Sequence, residues 1–359
     1  MGFDITQMGS LNTQEAQTLS EYIFKMVKED GILSEFYTIM EGIEQDKYVP
    51  IIGNMDDILE SMDGDECEFP EGGEIGVSTK TWSPKVAGQE QKWCKDKFEA
   101  RLRAFLNQPK DLLERYDLTG TPLGDFLVRE ISLSIVRATK RIADFGDTDA
   151  SLIGSGSGSE TITASLGARG VKLMNRIDGF WKQAFASVSA GDTERITITQ
   201  NGLATKTAQM NLADDTAVNL FSSMILAGGD EVDGGVIHCT KELWDNYFVW
   251  AVKNKQDVSD ATENKDYKSV TLSNYGVKLI NRKDWSKTIK KYYDNGTVYD
   301  MPHRALYSTK ENLLIGTPSN EALASFSSHY SQDLLKQITR SQVKLDAKIA
   351  LDEGIVAGY

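Results

Sequence analysis

The stretch from Tyr48 to Trp93 holds too few apolar residues to build a core of its own, and this constrains the chain more than any other feature. Two β-type runs, Tyr48-Val-Pro-Ile-Ile and Gly76-Val-Ser-Thr-Lys-Thr-Trp-Ser-Pro-Lys-Val, flank the acidic Asp63-Gly-Asp-Glu-Cys-Glu-Phe-Pro-Glu-Gly-Gly-Glu. Strand residues punctuated by Gly and Pro predict a long, exposed two-stranded excursion. An isolated ribbon of two strands is marginal in water, so such a segment makes physical sense when a neighbouring copy covers it.

The clearest helix opens at Thr121-Pro122, with Thr as cap, Pro at the first helical position and Asp125 in the first turn. Leu127, Ile131, Ile135, Ala138 and Ile142 recur at helical spacing as far as Phe145, and Gly146-Asp147 ends the run. Arg129, Arg137, Lys140 and Arg141 lie mostly toward its C-terminal half, where positive charge complements the helix dipole. Upstream, an amphipathic helix is predicted over Asn12 to Glu29, capped by Asn12 or Thr13 and stopped at Gly31, and an apolar stretch runs from Ile32 to Ile43. Downstream, Gly154-Ser-Gly-Ser-Gly-Ser is a flexible connector. Beyond it, helical segments at Asp214 to Ala227 and Lys241 to Lys253 alternate with buried strands at Gly235-Val-Ile-His-Cys, Ser269-Val-Thr-Leu and Val277-Lys-Leu-Ile. That alternation predicts a compact α/β lobe. Arg304-Ala-Leu-Tyr-Ser-Thr and the tail from Leu334 to Ile349 return to β character, so the fold class expected is α+β.

The 359 residues, 40% hydrophobic, suffice for two or more lobes. No run approaches the roughly 18 apolar residues of a membrane span, and the N-terminus lacks a basic-then-apolar leader pattern, so a soluble chain with no membrane partner is expected. Cys67, Cys94 and Cys239 are odd in number and form no C-x-x-C pair, which points to reduced thiols in a cytosol. The formal net charge of -14 repels phosphate backbones and argues against tight, autonomous nucleic-acid binding. Lys287, Lys290 and Lys291 follow Trp285 with the spacing of a solvated helix face.

No motif supplies catalytic chemistry. Gly154-Ser-Gly-Ser-Gly is followed by no Gly-Lys-Ser/Thr, and Ser159 stands where a dinucleotide fingerprint needs its last glycine. His238, His303 and His329 are far apart in sequence and lie in no H-E-x-x-H grouping. The acidic residues from Asp56 to Glu74 lack the regular ligand spacing of a calcium loop. Catalytic, metal and cofactor residues are therefore all assigned as none.

The order of parts resembles that of the major capsid proteins of tailed bacteriophages. Thr121-Pro-Leu-Gly-Asp-Phe-Leu through Ala143-Asp-Phe-Gly-Asp-Thr is similar to that family's spine helix and its exit, and Asp178-Gly-Phe to the opening of its apical lobe. Met301-Pro-His-Arg-Ala-Leu-Tyr-Ser-Thr and the ending Asp346-Ala-Lys-Ile-Ala-Leu-Asp-Glu-Gly-Ile-Val-Ala-Gly-Tyr resemble capsid proteins of Bacteroidales phages and prophages, the crAss-like group among them.

The resemblance implies a fold of the Hong Kong 97 type. It divides the chain into an N-terminal arm (1–47), an extended loop (48–95), a peripheral domain (96–150 and 299–359, with a spine helix over 121–146) and an axial domain (151–298). It implies self-assembly into hexamers and pentamers of an icosahedral virion shell around phage genomic DNA, the subunit being made in the host bacterial cytoplasm. The partners implied are other copies, portal and scaffold or decoration proteins, and packaged DNA bound only weakly and non-specifically. Tyr48, Trp82, Lys85 and Trp93 are the residues expected at subunit contacts, because Trp82 and Trp93 stand among polar neighbours with little local sequence to bury a large ring. Two alternatives are an encapsulin-like nanocompartment shell, with the same fold, and a cytosolic α/β enzyme whose lid is the Tyr48 to Trp93 excursion.

Overall fold

A computed structural model of the chain describes residues 25–43, 48–55, 75–93, 122–152, 165–256, 261–263, 267–272, 275–318, 324–331 and 336–359. Most of the helix expected from Asn12, the acidic stretch from Asp56, the connector at Gly154, and Cys67 and Cys94 lie outside these residues. The described helices are α1 (Gly31–Phe36), α2 (Pro122–Phe145), α3 (Ala168–Met174), α4 (Phe180–Ala190), α5 (Lys206–Met210), α6 (Thr216–Gly228), α7 (Lys241–Lys253) and α8 (Lys283–Tyr292).

Sixteen strands accompany them among the described residues. In chain order they are β1 (Thr38–Met40), β2 (Tyr48–Met55), β3 (Ile75–Thr81), β4 (Lys85–Trp93), β5 (Ser151–Leu152), β6 (Ser165–Leu166), β7 (Glu194–Ile196), β8 (Val236–Thr240), β9 (Thr262–Glu263), β10 (Lys268–Thr271), β11 (Lys278–Arg282), β12 (Ala305–Ser308), β13 (Leu313–Gly316), β14 (Ala324–Ser331), β15 (Lys336–Ile349) and β16 (Ile355–Gly358). The fold mixes helices and sheets. One sheet has the order β1-β13-β15-β14, with β4 also paired to β15. A second, seven-stranded sheet has the order β7-β16-β12-β8-β11-β10-β9.

The run from β12 to β16 passes between the two sheets twice: β12 and β16 lie side by side in the seven-stranded sheet, while β13 and β15 pair in the other. Asn312 holds this crossing together. Its side chain donates to the carbonyls of Leu351 (2.9 Å) and Gly354 (2.8 Å) and accepts from the Leu351 N–H (2.6 Å). The division expected at residue 299 therefore cuts through a sheet, and β12 and β16 belong with the lobe strands. The physical reason is that β8 and β11, buried in the lobe, leave an edge that must be paired, and a distant part of the chain supplies it.

Helix α2 and the lobe meet without side chains between them. A Cβ on Gly146 would lie 2.5 Å from the Ile177 carbonyl, and one on Gly179 would lie 2.5 Å from the Gly146 nitrogen. The glycines let the helix exit and the start of α4 touch through backbone. Around this contact lies the larger core, with Ile135, Phe145, Trp181, Trp285, Leu345 and Ile349 among its buried residues. A second core fills the space between α6, α7 and the seven-stranded sheet, using Phe221, Met224, Leu243, Tyr247, Ile237 and Leu279.

The last turn of α2 carries no basic residue, contrary to the dipole argument. It carries the buried Asp144, which accepts from the Trp285 indole N–H (2.9 Å) and the Tyr37 hydroxyl (2.8 Å) and pairs with the buried Arg282. Arg282 also donates to both oxygens of Asp284, at 3.0 and 2.7 Å. Burial raises the Asp144 carboxyl against the pull of Arg282, whereas at Asp284 the Arg282 charge and hydrogen bonds overcome burial and hold the carboxyl low. Lys140 turns instead to Asp30, at 2.8 Å.

Candidate assembly surface

Strands β2 and β3 pair antiparallel from Tyr48↔Thr81 to Met55↔Ile75 and form a sheet of two strands. At ~3.3 Å per residue, a seven-residue strand makes a ribbon about 23 Å long. Its base is pinned. The Lys80 ammonium donates to the Ile349 carbonyl (2.9 Å) and to Asp352 (2.8 Å), and the Ser83 N–H donates to Asp346 (2.7 Å). The ribbon stops at Thr81, after which the chain turns through Trp82, Ser83 and Pro84 into β4. The excursion expected as far as Trp93 is thus shorter, because β4 pairs along β15 from Lys85↔Leu345 to Trp93↔Gln337. Fourteen residues of β15 offer a ladder edge long enough to recruit it.

Trp82 is fully buried within its own chain, packed with Ile43 and Leu314 against Met40 and Ala350. The expectation that a second subunit covers this ring is corrected: its cover comes from β1, β13 and the end of β15, all remote in sequence. Lys85 is exposed at the first position of β4. Tyr48 and Trp93 have described backbones at the ribbon base and at the far end of β4, and their side chains lie outside the described residues. The structure does not gather these four residues in one place: Tyr48 pairs at the ribbon base, whereas Lys85 and Trp93 stand at opposite ends of one strand.

Beside β4 lies a cleft of about 440 Å³ between α2, α3, α8 and β15. Among the described residues Arg137, Arg141, Arg169, Lys172, Arg176 and Lys291 line it, and no Asp or Glu does. The sequence reading gave Arg137 and Arg141 to the helix dipole and Lys291 to a solvated face, and so missed that they converge. A signal was present: Arg137 and Arg141 are four apart, and Arg169, Lys172 and Arg176 follow the i, i+3, i+7 spacing of one helix face. The Arg141 Nε is buried without a hydrogen-bond partner. Burial, with the nearby Arg169 charge, pushes the Arg141 guanidinium below its usual range, while Tyr292 acts the other way.

His238, His303 and Cys239 are each enclosed separately. His238 is enclosed by the rings of Phe36, Tyr37 and Trp285, with both nitrogens unpartnered. His303 Nε2 meets the Gln209 carbonyl at 2.7 Å. Burial pushes both imidazoles down and the Cys239 thiol up. Among the described residues no group of three or more His, Cys, Asp or Glu is placed to hold a metal. No described helix is long and apolar enough to cross a membrane.

No family model matches the chain, and no curated protein matches it. Among solved structures it is similar to a chain of the satellite phage P4 procapsid with size determination protein, at 12% identity and TM-score 0.47, covering 94% of this chain and 98% of that one. It is similar to a chain of Gordonia phage Cozz at 12% identity and TM-score 0.49, covering 92% and 86% respectively. It is also similar to a chain of an encapsulin complex from Synechococcus elongatus at 8% identity and TM-score 0.46, covering 93% and 88%. No residue's role is carried over from these likenesses.

Proposed function

We propose that this chain is a shell-building subunit of the tailed-phage major capsid type, with a structural rather than a catalytic role. The observation that carries the reading is the β2–β3 ribbon, pinned at its base by Lys80 and Ser83, whose two strands pair with no other strand among the described residues. A two-stranded ribbon has too little packing to hold itself in water, so its stable form needs a second surface, which a neighbouring copy supplies. The sequence resemblance in the order of arm, extended loop, long helix and α/β lobe supports the same reading. In it, the ribbon and the acidic stretch that joins its two strands lie over a neighbour. The lobe built on the seven-stranded sheet is the axial domain, converging in hexamers and pentamers. Leu226 and Val252 on the outer faces of α6 and α7, 75% and 68% exposed, are apolar surface available for such contacts.

The closed shell encloses genomic DNA that it binds weakly, since the chain's net charge is -14. Portal and scaffold or decoration proteins complete the virion, the subunit is made in the host cytoplasm, and Tyr48, Lys85 and Trp93 act at subunit contacts. Light scattering and negative-stain microscopy of the purified protein over a range of concentration and salt test the reading. Rings of five and six subunits and closed particles are expected. A chain that stays monomeric under every condition removes it.

A further inference from the structure

The cleft between α2, α3, α8 and β15 gathers six cations and, among the described residues, no carboxylate, in a chain whose net charge is -14. None of the six forms an ion pair among those residues. Two buried polar groups on the cleft wall are unsatisfied as well. The hydroxyl of Thr139, a residue only 3% exposed, and the Nε–H of Arg141 have no hydrogen-bond partner. Buried polar groups are nearly always paired, so two orphans beside six uncompensated cations call for an acceptor that the described chain does not supply. The remaining wall is apolar, with Ile135, Ile142, Leu173, Val343 and Leu345 contributing.

The volume of about 440 Å³ lies in the ~300–1,000 Å³ range of small-molecule sites. A carboxylate brings one negative charge and a phosphate monoester about 1.5–2, so phosphate groups match this density of cations best. Guanidinium groups grip phosphate through paired N–H donors, and four of the six cations are arginines. We propose that the cleft binds a nucleoside triphosphate, the phosphates facing Arg137, Arg141, Arg169, Lys172, Arg176 and Lys291 and the base covering the apolar wall. A duplex matches the cations but keeps its bases stacked inside and offers nothing to that wall. With no carboxylate in the cleft to hold a metal ion, the site binds the triphosphate and leaves it intact.

Equilibrium dialysis of ATP against the full chain, at low salt and without magnesium, tests the inference. Saturable binding of one nucleotide per chain is expected, weakening as salt rises. Arg169→Gln with Arg176→Gln, both exposed, should weaken it about tenfold or more while the melting temperature without nucleotide stays unchanged. Should that variant melt lower, Lys172→Gln with Lys291→Gln, also exposed, carries the same test. Inorganic tripolyphosphate, which cannot cover the apolar wall, should bind about tenfold more weakly than ATP. No saturable binding overturns the inference, as do variants that bind like the wild type, tripolyphosphate that binds as tightly as ATP, and a short duplex that displaces ATP at a lower concentration than ATP displaces itself. Binding is counted per chain whether or not particles form, so its failure leaves the shell-subunit reading standing, and a failure to form particles leaves the site standing.

Discussion

The six-membered ring of Trp82 occupies the space that a Cβ on Gly316 would take, with two of its carbons 2.6 Å from that position. The ring closes a small core at the joint where the ribbon becomes β4, so it fixes where the ribbon leaves the body. Trp82→Ala is expected to cost the unassembled subunit about 3–5 kcal/mol, the usual loss for emptying a large aromatic site. Gly316→Ala is expected to cost about 1–3 kcal/mol by overpacking against the same ring. Denaturant unfolding of both variants and their combination is the measurement, and the double change should cost less than the sum. A Trp82→Ala subunit as stable as the wild type would show that the ring is not covered within its own chain.

Arg282 is the only cation in contact with Asp144 and Asp284 among the described residues. Its removal leaves a fully buried carboxylate and a part-buried one uncompensated, so Arg282→Met should destabilise by about 3–5 kcal/mol. Asp144→Asn leaves Arg282 paired with Asp284 and should cost about 1–2 kcal/mol. The ordering of the two losses in urea unfolding is the check; equal losses would mean that Asp284 contributes nothing to holding the guanidinium.

Local pattern made the regular elements readable and left their assembly hidden. The 24-residue α2 was legible because its cap, its apolar spacing and its glycine stop agree. β8, β10 and β11 were legible because short apolar runs stand between turn residues. The capture of β4 by β15 was not, since pairing between residues some 250 apart leaves no trace in either strand's own sequence. Trp82 misled for the same reason: its sequence neighbours are polar, while its packing partners Ile43 and Leu314 come from elsewhere in the chain. At the cleft, the spacing of the cations was visible but not that three helices present them to the same space.

The contact between Gly146 and Gly179 is tested by Gly146→Ala and Gly179→Ala. Gly179 N–H donates to the Gly146 carbonyl at 2.8 Å, and either methyl meets backbone atoms within 2.6 Å. Backbone cannot rotate aside as a side chain does, so a loss of about 2–3 kcal/mol is expected at each position. Because both changes push apart the same two segments, their effects should combine less than additively. Thermal unfolding of the three variants reads this. Two fully additive losses would mean that the segments relax independently.

His238 gives a pH dependence whose sign follows from its surroundings. Burial first, and then the positive charge of Arg282, push its pKa well below the ordinary value, with Asp284 opposing. The unfolded chain protonates this histidine near pH 6.5, whereas the folded chain keeps it neutral. Its neutral state therefore contributes its full share above about pH 6.5, and that share is lost as the pH falls, at up to about 1.4 kcal/mol per unit. His303, also pushed down by burial, adds a loss of the same sign. Carboxylates held low, such as Asp178 and Glu242, lose their contribution only below the ordinary carboxylate range, so the histidines act first. His238→Phe keeps an aromatic ring among Phe36, Tyr37 and Trp285 and removes the titration. Relative to the wild type, the variant should gain about 2 kcal/mol of stability between pH 7 and pH 5. Urea unfolding of both proteins across that range measures the difference; parallel pH profiles would mean that His238 binds its proton equally well in the folded and unfolded chains.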